Sequence, residues 1–374
     1  MKIALIHMRH AKTGGTELFL NHLSRYLAEK GEEVTIICRS HTEPAHPAIK
    51  FVKLRPFGLG KARRMWKFAK AVERHIETTH YDFVYGLGKT WTHDMLRIGG
   101  GTHLHFLKAS GRKHLRWKDM VSLKIEQKAM APDAYKHIVA NSYKSADEIS
   151  EAYQVPRNKI TVIHNFVDTK RFDASKIEHE VSKLKQKLAL DFTIPTFLFL
   201  GSGYERKGLK NALQALAKLD FAANLLIAGH ESDEETYKQY AKTLGIYDQC
   251  TFVGKTNQPE HYFSLADCYL LPAHYEPFGF TVIEALSCGT PVIITENCGA
   301  KEVLKPNVSS VISPDNLVDE LAKAMGYWAK RKGDAKTQRE CRDLALTLDV
   351  EQAMEKNYQQ ILTVLKTKNC DTQI

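Results

Sequence analysis

The sequence predicts an α/β protein of two Rossmann-like lobes, each a parallel sheet with helices on both faces. Three observations carry this. Apolar runs of strand length alternate with amphipathic helical stretches along the whole chain, the pattern of parallel sheets covered on both sides. At 374 residues the chain exceeds one compact core. The alternation breaks near residues 168–190, where the lysine-rich stretch "DASKIEHEVSKLKQKLALDFTIP" reads as a junction.

The elements follow in order. "KIALIHM", "GTELFLNHLSRYLAEKG" and "EEVTIICR" form a strand, an amphipathic helix ended by Gly31 and a second strand, which is one βαβ unit. Strand-like runs recur at "IKFVKL", "FVYGLG" and "HIVANS". A second series runs through "TFLFLG", "ANLLIAG", "CTFVG", "CYLLPA" and "TPVIIT", with helical "GLKNALQALAKL" and "DEETYKQYAKTLG" between. The expected organisation is a first domain over 1–168 and a second over 169–350. Residues 351–374 would form a helix packing back on the first domain, with "KTKNCDTQI" as a frayed tail.

Composition narrows the function classes. At 43% hydrophobic and 26% charged residues the chain is of soluble globular type, and no apolar run approaches the roughly 20 residues of a membrane span. The start, "MKIALIHMRH", is too short in its apolar part for a signal peptide and reads as a buried strand. Seven cysteines without CxxC spacing favour reduced, buried thiols in a cytoplasmic protein over disulfides or zinc. The net charge of +10 divides as +14 over residues 1–172 and −4 over the rest. The first half is thus expected to meet something anionic, general solubility being the plain alternative.

Ligands of open parallel sheets bind beyond the carboxyl ends of the strands, and four such loops carry unusual residues. In "HYEPFGFTVIEALSCGTPVI" the acid Glu284 stands inside an apolar run, eight residues after Glu276. A desolvated carboxylate costs several kcal/mol, order of magnitude, unless paired. Gly279 lets backbone approach closely, and the helix starting there offers N–H groups to an anion. Carboxylates accept paired hydroxyls, so two acids flanking a helix N-terminus suit the two diols and the diphosphate of a nucleotide sugar. A capping Glu276 with a Glu284 reaching to water is the alternative left open by spacing alone.

"SGYERKG" sets Arg206 and Lys207 between glycines before a helix, a plausible phosphate cradle. "RHAKTGGTE" places Gly14 and Gly15 between strand and helix without completing GxGxxG, which argues against a dinucleotide fingerprint. "RIGGGTHLHF" carries His103 and His105 at spacing two. With no third ligand at a convincing spacing, no metal site is expected.

Together these loops resemble the retaining, nucleotide-sugar-dependent glycosyltransferases of family four, whose fold is GT-B, two Rossmann-like lobes facing across a cleft. The resemblance is carried by "EPFGFTVIEALSCGTPVI", "VANSYKSADEISEAYQVPRNKITVIHNFVDTKRF", "FLFLGSGYERKG", "LLIAGHE", "FVG" and "ADCYLLPAHYEPFG", in the family's order across the chain. "DMLRIGGGTHLHFL" is similar to a variant in lipopolysaccharide-core glycosyltransferases. The resemblance implies that Glu284 binds the nucleotide ribose and that Glu276 faces the sugar hydroxyls. It implies that backbone N–H groups of Phe278, Gly279, Phe280 and Thr281 line sugar and phosphate, and that Lys207 neutralises the leaving diphosphate, with Arg206 expected to substitute for an arginine the family carries just after the glycine of "FLG". Gly14 and Gly15 would close over the phosphates, and His103, or else His105, would contact the donor sugar. Ser202 replaces the family's usual arginine, and "CGAKE" its usual double glycine before Glu302.

The implied reaction transfers a hexose from a nucleotide sugar, UDP-linked by expectation, with retention and with no metal or other cofactor. The alternatives are a non-catalytic nucleotide-sugar or nucleic-acid binding protein, or a transferase with a small soluble acceptor. The first lobe holds the acceptor in this fold, and here it is basic. Arg63, Arg64 and Lys67, with Phe57, Met65, Trp66 and Phe68 interleaved, and Arg112, Lys113 and Lys118 beside Trp117, suit an anionic membrane or a phosphorylated glycolipid. The expected location is the inner face of the cytoplasmic membrane, and nucleic acid is not expected as a partner.

Overall fold

The computed structural model describes residues 1–371, other than residue 13 and residues 111–113. The chain forms two compact units, Met1–Asn165 with Val350–Ile374, and Phe166–Asp349.

The first unit is built on seven strands: β1 (Lys2–Ile6), β2 (Glu33–Cys38), β3 (Lys50–Lys53), β4 (Phe83–Gly86), β5 (Met95–Ile98), β6 (His137–Ala140) and β7 (Ile160–Val162). They lie in the order β3-β2-β1-β4-β5-β6-β7, and every pairing is parallel. Their residues are apolar on both faces because helices cover both. Ala4, Ile6, Ile37, Phe68, Val72 and Val84 form one buried cluster, and Leu96, Ile98, Ile138 and Ala140 belong to another. The C-terminal helix Val350–Asp371 joins this unit. It is tied there by Tyr85, which donates to Asn357 Oδ1 at 3.0 Å, and by Tyr358, which donates to Glu32 at 2.6 Å.

The second unit has six strands: β8 (Thr196–Leu200), β9 (Asn224–Ala228), β10 (Cys250–Gly254), β11 (Cys268–Leu271), β12 (Val292–Thr295) and β13 (Ser309–Ile312). Their order is β10-β9-β8-β11-β12-β13, again parallel throughout. Side chains alternate between the two faces. Leu198, Leu226, Tyr269 and Ile294 enter one core, and Phe197, Phe199, Leu225 and Ile293 the other.

Each sheet reverses its winding once, between β1 and β4 and between β8 and β11. Loops leaving neighbouring strands there run in opposite directions and leave a crevice, where ligands of such sheets bind.

Two boundaries differ from the sequence reading. The expected junction carries the helix Glu178–Leu188, which belongs to the second unit. Its Val181 is buried, and Ile177, Leu184, Leu188, Leu190 and Phe192 pack on the same core. These six apolar residues are spaced among lysines, so the segment reads as a linker. The expected frayed tail is helical as far as Asp371, and residues 372–374 lie outside the described residues.

Candidate active site

In the second unit the two loops at the β8–β11 crevice build one charged cluster. After β8 the chain turns through Gly201, with φ +145°, into the short helix Tyr204–Lys207. A Cβ on Gly201 would stand 2.7 Å from Cδ and Cε of Lys207. The glycine therefore leaves the track along which the lysine stem runs, and Lys207 is only 8% exposed. Its Nζ lies 3.4 Å from Glu276 Oε2, and Arg206 Nη1 lies 3.0 Å from the same oxygen while donating to the Tyr275 carbonyl at 2.7 Å.

Glu276 is pinned by its backbone as well. Its N–H donates to the Asn297 carbonyl at 3.2 Å, and its carbonyl accepts from Gly299 at 3.0 Å. Burial alone would push its carboxyl up, but the Lys207 and Arg206 charges and their hydrogen bonds outweigh this and hold it below the usual range.

Glu284 has the opposite environment. It lies on the helix Phe280–Ser287, half-buried. No hydrogen bond or ion pair reaches its carboxylate among the described residues, and burial pushes its pKa up to about 7, with Arg171 and Lys207 only partly offsetting this. Two carboxylates eight residues apart thus have their acidities driven in opposite directions, which is how sites separate the tasks of two like groups.

The helix begins at Gly279, with φ +99°, a backbone conformation that favours glycine. The N–H groups of Gly279, Phe280 and Thr281 have no partner among the described residues. Open N–H groups and the positive end of the helix dipole attract an anion. The Thr281 hydroxyl is committed, accepting from Tyr269 at 2.7 Å. Phe278 is buried, and its carbonyl accepts from the Ala300 N–H.

In the first unit a cavity of about 390 Å³ lies beyond β4 and β5, walled by Leu87–Thr90, by Leu96–Phe106 and by the helix Trp117–Ala129. His103 lines it, with Nε2 3.1 Å from Asp119 Oδ1. Burial and then the Lys89 charge lower the His103 pKa against the pull of Asp119, so its ring is neutral near pH 7. Its backbone N–H donates to both oxygens of Glu126, at 2.8 and 3.0 Å. His105 is turned to helix capping, with Nδ1 2.7 Å from Thr102 Oγ1.

Comparison with known proteins decides the family. Residues 13–171 match the model for Glycosyltransferase Family 4, and residues 180–345 that for Glycosyl transferases group 1. The chain belongs to these glycosyltransferases. Among its relatives are a probable transglycosylase of Burkholderia thailandensis, 27% identical over 80% of this chain and 79% of that one. The lipopolysaccharide core biosynthesis glycosyltransferase LpsE of Rhizobium meliloti is 23% identical over 85% and 86%. Among solved structures, WaaG, a glycosyltransferase involved in lipopolysaccharide biosynthesis, superposes with TM-score 0.80 over 96% of this chain and 99% of its own, at 20% identity. Anabaena HepE, solved with UDP and glucose, gives 0.71 over 96% and 99%, at 17% identity. The fold is GT-B.

In this glycosyltransferase the structure brings Lys207, Arg206, Glu276 and the Gly279–Thr281 backbone together, and sets Glu284 four residues into the helix. Gly14 and Gly15 stand in the first unit, at the start of the helix Gly15–Glu29. Glu17 folds its carboxylate over Gly14, where a Cβ would stand 2.3 Å from Oε2. Burial would raise that carboxyl, but hydrogen bonds from His7, its own backbone and Arg9 hold it down at about 2. A phosphate at Gly14 would meet a fixed negative charge, and Gly15 is already the first residue of the helix.

The basic stretches also need correction. Met65 and Phe68 are buried, and Trp66 packs on Trp91 with ring centroids 4.9 Å apart. These three face inward because the helix Gly60–Thr78 turns that stripe to the core. Within the two stretches the large apolar residues exposed among the described residues are Phe57, Leu59, Leu115, Trp117 and Met120. Lys61, Arg63, Trp117 and Lys118 line one shallow groove, so the two stretches do meet. Arg63 and Lys67 are exposed and Arg64 half-buried, while Arg112 and Lys113 lie outside the described residues.

Sequence reading missed Arg97, Asp119 and Glu126. Arg97 carried a usable signal, a lone cation inside the apolar run "MLRI" directly before three glycines.

Proposed function

We propose that this glycosyltransferase moves a hexose from a UDP-sugar to a glycolipid acceptor of the lipopolysaccharide-core kind, with retention at the anomeric carbon and without a metal. The observation that carries the donor reading is the contrast between the glutamates. Glu276 is held by two cations beside open helix N–H groups, and Glu284 is a carboxylate on the same helix with no partner among the described residues. Lys207, Arg206 and the N–H groups oppose the charge that develops as the nucleoside diphosphate departs, and Glu284 accepts hydrogen bonds from the ribose diol. Supporting the donor and acceptor classes are HepE, solved with UDP-glucose, and the lipopolysaccharide roles named for WaaG and LpsE.

Glu276 is a poor nucleophile while two cations share its oxygen, so the reading favours substitution on one face of the sugar. The bond from C1 to the diphosphate oxygen breaks, the acceptor oxygen bonds to C1, and the leaving phosphate oxygen takes the acceptor proton. The first unit is read as the acceptor half. Phe57, Leu59 and Trp117, exposed beside Lys61, Arg63 and Lys118, suit an anionic bilayer surface, and no described helix is long and apolar enough to cross a membrane. A panel of nucleotide hexoses scored by thermal protection tests the donor. One UDP-hexose should protect at micromolar to millimolar concentration, and protection by none would sink the reading.

A further inference from the structure

The cavity of the first unit holds a cation that the donor chemistry does not use. Arg97, on β5, is 3% exposed. Buried arginines ordinarily pair with carboxylates, since an uncompensated buried charge is costly. Among the described residues Arg97 has no such partner. The one side-chain hydrogen bond it makes among them runs from Nη2 to the neutral Oδ1 of Asn165 at 2.7 Å, and its guanidinium lies 3.9 Å from the centroid of the Phe19 ring. Stacking and one hydrogen bond to a neutral amide oxygen orient the fork without neutralising it.

The surroundings are those of a built site. A Cβ on Gly99 would stand 2.0 Å from Arg97 Nη1, so the glycine makes room for the fork at the cavity wall. Gly99, Gly100 and Gly101 present bare backbone to the same space. Thr90 is fully buried and Ser122 is 2% exposed, yet their hydroxyls and His7 Nδ1 have no hydrogen-bond partner among the described residues, and all three residues line this cavity. Buried polar atoms are nearly always satisfied, so three orphans converging with an unpaired guanidinium mark a place for a polar anion. Lys89 and Lys118 add positive charge to the wall. Glu126, the one acid among the lining residues, is committed to the His103 N–H and to the Tyr153 hydroxyl at 2.8 Å. At about 390 Å³ the space lies at the small end of the roughly 300–1,000 Å³ typical of small-molecule sites.

We propose that this cavity binds the phosphate monoester of a sugar, with Arg97 as its main cation and Thr90, Ser122 and His7 as hydrogen-bonding partners. That the phosphosugar is part of the acceptor rests on the transferase reading, whereas the anion site stands on Arg97 and its neighbours alone. Three cations on the wall favour a dianion over a carboxylate.

Calorimetry on the full chain with glucose 6-phosphate, inorganic phosphate, glucose and glucuronate tests this, run with and without saturating UDP so that the second unit's cations are occupied in one arm. Glucose 6-phosphate should bind in both arms at least tenfold tighter than glucose or glucuronate, with phosphate competing. Arg97→Met should weaken it at least tenfold, leave UDP affinity within twofold, and not lower thermal stability. If Arg97→Met does not fold, Arg97→Lys decides, since it keeps the charge and loses the fork. A threefold or greater weakening sustains the site, and unchanged binding overturns it. Glucose 6-phosphate no better than glucose on the wild type, glucuronate binding as tightly, or an indifferent Arg97→Met would each overturn the proposal. Failure of UDP to bind would instead sink the donor reading and leave this one standing.

Discussion

Replacing Glu284 by glutamine separates the binding role of this carboxylate from its cost to the fold. The carboxyl has no partner among the described residues, and burial raises its pKa to about 7. The sign follows from linkage. An unfolded chain releases this proton near the ordinary value of 4.5 and the folded chain near 7. Between those values the folded state holds a proton that the unfolded state has lost, so stability falls as pH rises from about 4.5 to 7 and then levels. At pH 8 the wild type carries an uncompensated carboxylate, and Glu284→Gln should be more stable by on the order of 1–3 kcal/mol. At pH 5 the two should be nearly equal. Nucleotide affinity should move the other way. Hydrogen bonds to a charged acceptor contribute about 1.5–3 kcal/mol, so the variant should bind UDP roughly 10- to 150-fold more weakly at pH 8. The wild type should tighten as pH rises through about 7, and the variant should lack that component. Calorimetry at several pH values with urea denaturation at pH 5 and 8 measures both. Unchanged UDP affinity would refute the ribose assignment, and a variant less stable at pH 8 would refute the unpaired charge.

Other outcomes follow from the same geometry. Lys207→Ala should lower turnover by about two orders of magnitude, the scale for a removed charge-stabilising donor, with a smaller loss of stability, as read by initial rates and thermal unfolding. Activity should persist in excess EDTA, and loss restored by manganese or magnesium would contradict the metal-free reading. Neutralising Lys61, Arg63 and Lys67 together should cut co-sedimentation with anionic vesicles steeply at low salt, since each surface charge is worth about 1 kcal/mol there and screening acts over about 8 Å in physiological salt. Donor binding should be untouched by that triple change.

Much of the fold was legible because parallel sheets announce themselves as alternating apolar runs. What escaped was short or mixed. β7 and β13, "ITV" and "SSVI", are too brief or too polar to stand out, yet each extends a sheet that supplies its pairing. Glu284 was legible because a carboxylate in an apolar run demands a reason. The same reasoning applied to Arg97 would have found the second cavity, but the glycines after it drew attention to histidines instead. Trp66 was misread because composition ignores helix phase, and Ala62, Met65, Ala69 and Val72 fix the inward stripe. The placement of Glu17 over Gly14 is a side-chain rotamer, which no motif reports.

The central claim is transfer of a hexose from a nucleotide sugar with its configuration kept. Proton NMR of the protein turning over the best-protecting α-linked UDP-hexose, with a core glycolipid as acceptor, tests it most directly. UDP should appear together with a new anomeric signal whose small coupling marks an α-linked product, and both should form about a hundredfold more slowly with Lys207→Ala. A β-linked product, or a donor left intact by the wild type in the presence of acceptor, would contradict it.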